Sequence, residues 1–328
     1  MANLLEKASI VLTSTGYSRD AIHNVKPSES PFGDMTLIQN GTSTRVNENG
    51  LVVDNTTDIP RIDYSKGSGA ILSEIGTTNQ VRYSEDFSNV LWNKSAINMT
   101  SSTKTNPRGV NQTVYNITGA PAPGDGLFAS FASTPSGQGT GVSIWIKRTA
   151  GVGSTGNVWI GSGTQSSGTG NLVAVGNEWQ RISYAAPQYG GTTIYIKPQY
   201  GHYFDIWGAQ GEYGLVSGGA GRITSYIPTT SGSATRTRDN YLNGGDTSLI
   251  GAQEGVLFFE AAATANQVGR TRGVALSASN SAANRVVLFF NSSSNGIQAL
   301  VQASASTVVA IYGTVSDQTA FNKMAIKY

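Results

Sequence analysis

The side chains able to do covalent chemistry are few and scattered. Glycoside hydrolysis needs two carboxyl groups flanking the scissile bond, and Glu85, Asp86, Glu178, Asp205 and Glu212 are the acids on offer. Their setting opposes that use: Glu85 and Asp86 fall together in the run Tyr83-Ser-Glu-Asp-Phe-Ser88, and Asp205 lies inside a strand-like run, Tyr203-Phe-Asp-Ile-Trp207. The two histidines, His23 and His202, are far apart and lack a His-x-x-x-His partner, so each reads as a surface or packed residue. No Gly-x-Ser-x-Gly elbow, zinc-ligand cluster or helix-loop-helix calcium loop occurs. Gly151-Val-Gly-Ser-Thr-Gly156 and the run from Gly161 to Gly170 superficially look like phosphate loops, but their flanks are strands, which leaves glycine serving hairpin turns.

Binding chemistry is better supplied. In Val142-Ser-Ile-Trp-Ile-Lys147, alternation puts Val142, Ile144 and Ile146 on one face and Trp145 and Lys147 on the other. Asn157-Val-Trp-Ile160 repeats the pattern with Trp159, and Ile194-Tyr-Ile196 repeats it with Tyr195. With the aliphatic face filling a sandwich interior, Trp145, Trp159 and Tyr195 point outward. Such rings can stack on sugar C–H faces, pack a subunit interface or lie under a loop, and alternation leaves all three open. Trp179 and Trp207 read as core or strand-edge anchors.

The elements that hold these residues are strands. A chain of 328 residues suffices for two or three domains, and 40 glycines with only 13% charged residues favour an all-β protein rich in turns. A net charge of +2 with no Lys/Arg block speaks against nucleic acid as a partner. Without cysteine, neither disulfides nor thiolate metal sites are available, which suits synthesis in a reducing cytoplasm. The apolar run Ala8 to Leu12 is too short for a signal-peptide core, and no later run reaches the length of a membrane span, so no membrane insertion is expected.

Residues 1–80 read as a leader with short strands at Ile10-Val-Leu12, Met35-Thr-Leu-Ile38, Thr44 to Val53 and Ile59 to Tyr64, with Asn-Gly turns before Thr42 and Leu51. Its apolar side chains need neighbours to bury them. Residues 81–238 read as one sandwich whose strand character runs to Gly208 in its closing stretch; a polar, Gly-rich passage and Pro228 then lead the chain out. After a connector at Asn240 to Asp246, residues 239–328 carry six further strands: 255–260, 273–276, 285–290, 297–301, 307–312 and 323–328.

The order Tyr83-Ser-Glu-Asp-Phe-Ser88, Trp92, Ser143-Ile-Trp-Ile-Lys147, Glu178-Trp-Gln-Arg-Ile-Ser183, Ile206-Trp-Gly-Ala-Gln210, Ser225-Tyr-Ile-Pro-Thr229 and Thr235-Arg236 resembles the carbohydrate-binding-module-like jelly roll of many bacteriophage tail and virion fibre proteins. The last third is similar to the concanavalin-A-like lectin/glucanase sandwich. It departs from that pattern by stopping in a strand at Tyr328, so the last module is expected to be incomplete, with the natural polypeptide continuing or another subunit supplying strands. The opening Met1 to Leu12, Asn40 to Asn47 and Ile59 to Tyr64 are similar to the leaders of the same phage proteins.

The resemblance implies an all-β structural subunit of a phage virion, a tail or head fibre made in the bacterial cytoplasm and assembled on the particle as a homotrimer. An N-terminal anchor, with Leu4, Leu5, Ile10, Val11 and Leu12 as its apolar residues, would dock on capsid, portal or tail proteins. The sandwiches would face host-surface polysaccharide, without enzyme activity or cofactor. Family jelly rolls often hold a structural calcium, which makes Asp86 and Asp205 candidate ligands beside their reading as ordinary turn and strand-end acids. A ligand-free head fibre or decoration protein and a polysaccharide depolymerase are the alternatives.

Overall fold

The computed structural model describes residues 8–12, 24–26, 36–119, 126–132, 139–162, 169–186, 191–214, 223–242, 251, 253–264, 272–277, 283–291 and 293–328, and among them every helix-or-strand element is a strand. The chain divides into two compact units: Ile38–Leu215 with Gly219–Asn240, and Met1–Leu37 with Val216–Gly218 and Tyr241–Tyr328.

The first unit is a sandwich of two five-stranded antiparallel sheets. One sheet is ordered Asn98–Thr105, Asn111–Thr118, Tyr203–Gly214, Gly139–Ala150, Gln180–Ala185. The other is ordered Thr169–Val175, Gly156–Ser162, Thr193–Pro198, Gly126–Ser130, Trp92–Ser95. Counted from Asn111–Thr118, the eight main strands run 1-8-3-6 in the first sheet and 2-7-4-5 in the second, the connection of a jelly roll. Alternation builds its core: Val142, Ile144, Ile146, Ile117, Phe204 and Ile206 of the first sheet meet Leu127, Val158, Ile160, Ile194 and Ile196 of the second, all fully buried. Each such burial contributes about 1.5–3 kcal/mol before chain entropy is subtracted.

The closing strand does not end at Gly208 but runs on to Gly214 through a bulge. Its register against Gly139–Ala150 slips where Ser143 pairs Gln210 and Trp145 pairs Trp207, and Gly208 there takes φ 62, a conformation that favours glycine. The slip reverses the alternation. Phe204 and Ile206 face the interior before it, Ala209 after it, and so Gln210 and Glu212 turn outward instead of into the apolar core.

That outward face of the first sheet is roofed by residues 38–80 and 223–240, so the segment assigned to the leader from Ile38 onward belongs to the jelly-roll unit. Val52 from the hairpin Ser43–Val46/Val52–Asn55 packs with Trp207 and Tyr226, with Trp145 and Trp179 against them. Thr77–Asn79 pairs with Ala234–Arg236. Asn49-Gly50 turns the hairpin, as its sequence suggests, whereas Asn40-Gly41 is no hairpin turn: Gly41 bridges Arg236, and a Cβ there would stand 2.2 Å from the Thr235 carbonyl oxygen. Beneath the roof, Arg61 pairs with Glu74 at 3.0 Å and with Asp239, while Arg236 pairs with Glu74 at 3.4 Å and Asp239 at 3.5 Å.

In the second unit, Arg272–Ser277, Arg285–Phe290, Gly296–Ala303 and Ser306–Thr314 form a meander in sequence order, and Val256–Ala261 pairs with Asn322–Lys327. All six strands fall where the apolar runs between Ser, Asn and Gly turns place them. Leu257, Leu288, Phe290, Met324 and Ile326 make its core. The edge strand Ser306–Thr314 is exposed along its whole length. Val11–Leu12 pairs with Asn24–Lys26 in a separate two-stranded ladder.

Candidate functional site

The outer face of the second jelly-roll sheet carries an aromatic row across three adjacent strands. Register sets Phe128 opposite Tyr195, and their rings lie 6.1 Å apart; Tyr195 meets Trp159 on the next strand at 5.4 Å in an edge-to-face arrangement. Such pairs contribute about 0.5–1.5 kcal/mol beyond their buried area.

Glycines let the two large rings come close to the backbone of the sheet. Gly170 is the diagonal cross-strand neighbour of Trp159, and a Cβ on it would stand 2.4 Å from Trp159 Cζ2. Gly126 stands in the same relation to Tyr195, where a Cβ would meet Cζ at 2.7 Å. The indole thus packs on bare backbone at Gly170 and also lines open surface.

Around Trp159 lies a shallow groove of about 260 Å³ lined by Asn157, Leu172, Lys197, Pro198, Gln199 and Tyr200. That is below the roughly 300–1,000 Å³ of small-molecule pockets, so it suits part of a longer ligand lying on the surface. Leu172 and Tyr200 are 68% and 66% exposed. The floor is rigid: the backbone N–H of Asn157 donates to Gln199 Oε1 at 2.8 Å, and that of Gln199 donates back to the Asn157 carbonyl at 2.9 Å. The lining offers apolar ring area, amide groups and one ammonium, and contains no carboxyl group.

Of the three aromatics singled out in the sequence, the structure brings Trp159 and Tyr195 together and leaves Trp145 on the opposite sheet. All three leave the aliphatic interior, but with different fates. Trp145 is half-covered by the roof, and Tyr195 is only 5% exposed, so Trp159 alone of the three fronts the groove. Trp207 is fully buried, and Trp179 donates from Nε1 to the Thr105 carbonyl at 3.1 Å with Lys147 Nζ 5.0 Å above its ring. Tyr200 was missed because a single aromatic in the polar stretch after Pro198 shows no alternation; the preceding strand and turn place it.

Asp86 and Asp205 do not converge. Asp205 lies on the roofed side of the first sheet, where Lys104 Nζ at 2.7 Å, Asn116 Nδ2 at 2.9 Å and Lys147 Nζ at 3.9 Å surround its carboxylate. Asp86 accepts from the Ser88 hydroxyl and, at 2.7 Å, from Tyr115 Oη; these hydrogen bonds hold its carboxyl below the usual range. Among the described residues no three His, Cys, Asp or Glu side chains gather as a metal site. His202 is packed, with Nδ1 accepting from Arg148 Nε at 3.3 Å. Ile10 and Val11 are half-buried, while Leu4, Leu5 and His23 lie outside the described residues.

The acids of the roof are structural. Burial works to raise Glu74, but the Arg236 and Arg61 guanidiniums and the Ser225 hydrogen bonds outweigh it and hold the carboxyl down at about 2. Glu212, with Thr224 donating from N at 2.9 Å and Oγ1 at 2.6 Å, is instead pushed up by burial.

No protein-family model matches the sequence, and no curated protein sequence matches it. Among solved structures, the chain is similar to the CBM22-1 and GH10 modules of the Clostridium thermocellum endo-1,4-β-D-xylanase 10B complexed with xylohexaose, at 14% identity and a TM-score of 0.31, over 48% of this chain and 30% of that one. The CBM22-1 xylan-binding domain of Paenibacillus barcinonensis Xyn10C matches at 11% identity and a TM-score of 0.29, over 44% of this chain and 97% of that domain. The enzymatically active domain of bacteriophage CBA120 tailspike protein 4 matches at 15% identity and a TM-score of 0.23, over 50% of this chain and 21% of that one. These scores mark a loose likeness only.

Proposed function

We propose that this chain is a non-catalytic glycan-binding protein of a bacteriophage particle, a fibre subunit whose contact surface is the groove around Trp159. The observation that carries the binding part is the indole packed against the backbone at Gly170 beside exposed Leu172 and Tyr200. A ring held against the sheet presents a fixed apolar platform to the C–H face of a pyranose, and the amides of Asn157 and Gln199 stand beside it for hydroxyl groups. A lining without a carboxyl pair suits holding a glycan rather than cutting it. The fibre assignment rests on the ordered sequence tags alone, with the residues ahead of Ile38, including Leu4, Leu5 and Ile10 to Leu12, as the particle-docking arm. A small site binds weakly by itself; several copies on one particle raise the effective concentration and give firm attachment.

The test is affinity electrophoresis of the full chain in gels containing xylan, neutral β-glucans and host-surface polysaccharides, with Trp159→Ala in parallel. Retardation by at least one polymer, lost in Trp159→Ala and kept in Trp145→Ala, is expected. Free migration in all gels, or retardation that Trp159→Ala leaves unchanged, sinks the binding assignment. Immunogold labelling of particles tests the fibre assignment separately, and unlabelled particles would remove it.

A further inference from the structure

The strand Ser306–Thr314 ends its sheet with one side paired to Gly296–Ala303, and among the described residues no strand pairs with its other side. Val308, Val309, Ile311 and Tyr312 are 62%, 41%, 55% and 69% exposed, so both of its faces present apolar side chains. Edge strands are ordinarily protected by charge, proline or strong twisting. Here no charged residue occurs between Arg285 and Asp317, and no proline either. The one irregularity, where Val301 pairs Val309 but Gln302 pairs Thr307, lies near the strand's start and leaves Val309–Gly313 in regular register.

We infer that this edge is a self-association surface and that its occupant is the same strand of a second copy, run antiparallel about a two-fold axis at Ile311. In that register Ile311 meets Ile311 of the second copy, Ala310 receives Tyr312, and Gly313 receives Val309. Large side chains oppose small ones on either side of an apolar centre, and no like charges meet. A strand paired with its own kind is thus accommodated without repulsion or overpacking. The two four-stranded sheets become one of eight strands. The contact takes the same edge from each copy and is isologous, so it closes as a dimer instead of growing. This inference does not depend on the Trp159 groove.

The absence of cysteine makes the test clean. Sedimentation equilibrium of the full chain should give a concentration-dependent mass rising toward twice 34.3 kDa. Ile311→Lys brings two ammonium groups face to face and should raise the dimer dissociation constant at least tenfold with an unchanged circular dichroism spectrum. Ile311→Cys should form a disulfide-linked dimer on mild oxidation much faster than Ser316→Cys, which sits outside the strand; this arm stands even where Ile311→Lys fails to fold. A monomer at every concentration, a trimer or open-ended assembly indifferent to Ile311→Lys, or equal cross-linking of the two cysteine variants would each overturn the inference.

Discussion

Replacing Gly170 with alanine should strip the platform from Trp159 without touching any side chain of the groove. The added Cβ stands 2.4 Å from Trp159 Cζ2, 2.6 Å from Cε2 and 2.5 Å from the Ile160 carbonyl oxygen. Carbon atoms in contact need about 3.5 Å or more, so the indole must lift by roughly 1 Å and give up its 5.4 Å edge-to-face contact with Tyr195. Overpacking of this kind costs about 1–3 kcal/mol, which for a sandwich of this size lowers the melting temperature by roughly 5 °C. Loss of a central aromatic contact removes about 2 kcal/mol of binding, or about thirtyfold in dissociation constant. The assay pairs thermal melting with titration of whichever polysaccharide retards the native protein. A second substitution sharpens it: in a Trp159→Ala background the ring is gone, so Gly170→Ala should cost less than in the native protein, though not nothing, because the Ile160 carbonyl remains. If Gly170→Ala melts and binds as the native protein does, or costs as much without the indole as with it, the argument from a ring packed on Gly170 is wrong.

Other outcomes follow from the roof, the bulge and the carboxylates. Glu74 is held at about 2 against an unfolded value of 4.5, so its ionisation contributes on the order of 3 kcal/mol above pH 4.5. That contribution should fade as pH falls through about 2, and Glu74→Gln should be less stable at pH 7 and lose less on acidification. Gly208→Val puts a β-branched residue at φ 62 with its Cβ 3.3 Å from the Trp145 and Tyr226 rings, so it opposes the bulge that turns Gln210 and Glu212 outward; the jelly roll should be destabilised, as read by loss of protease resistance. Because Asp205 is already surrounded by Lys104, Lys147 and Asn116, a chelator should leave the melting temperature unchanged; a drop of several degrees would restore a metal to that site.

The strands were legible because burial on one face writes itself into the chain with a period of two. Val142, Ile144 and Ile146 could be read this way without a structure, and the six strands from Val256 onward as apolar runs bounded by Ser, Asn and Gly turns. What could not be read is what acts across long separations or breaks the period. Gly208 looks like the end of a strand, and only the slipped register shows that the strand bends and continues with its faces exchanged. Trp145 and Trp159 have the same local pattern, yet one lies under Val52 and Tyr226 and the other beside open surface. Nothing near either residue records that difference. Nothing local to Arg61, Glu74, Arg236 and Asp239 sets them apart from surface charges, and they are buried because each finds its partner inside the roof.

The distance along the chain between those partners has a consequence for how the protein is made. Arg61 leaves the ribosome 178 residues before Asp239 and 164 before Ser225. At about 5–20 residues per second this is an interval of roughly 10 to 35 s. Throughout it, the early segment has Glu74 but lacks the late strand that fastens it, so it stays unfastened while the ten strands between are being born. The residues from Thr224 to Asp239 then act as a stitch that draws the early segment of the unit shut, and a truncation between Arg236 and Asp239 leaves two buried arginines without their full complement of acids.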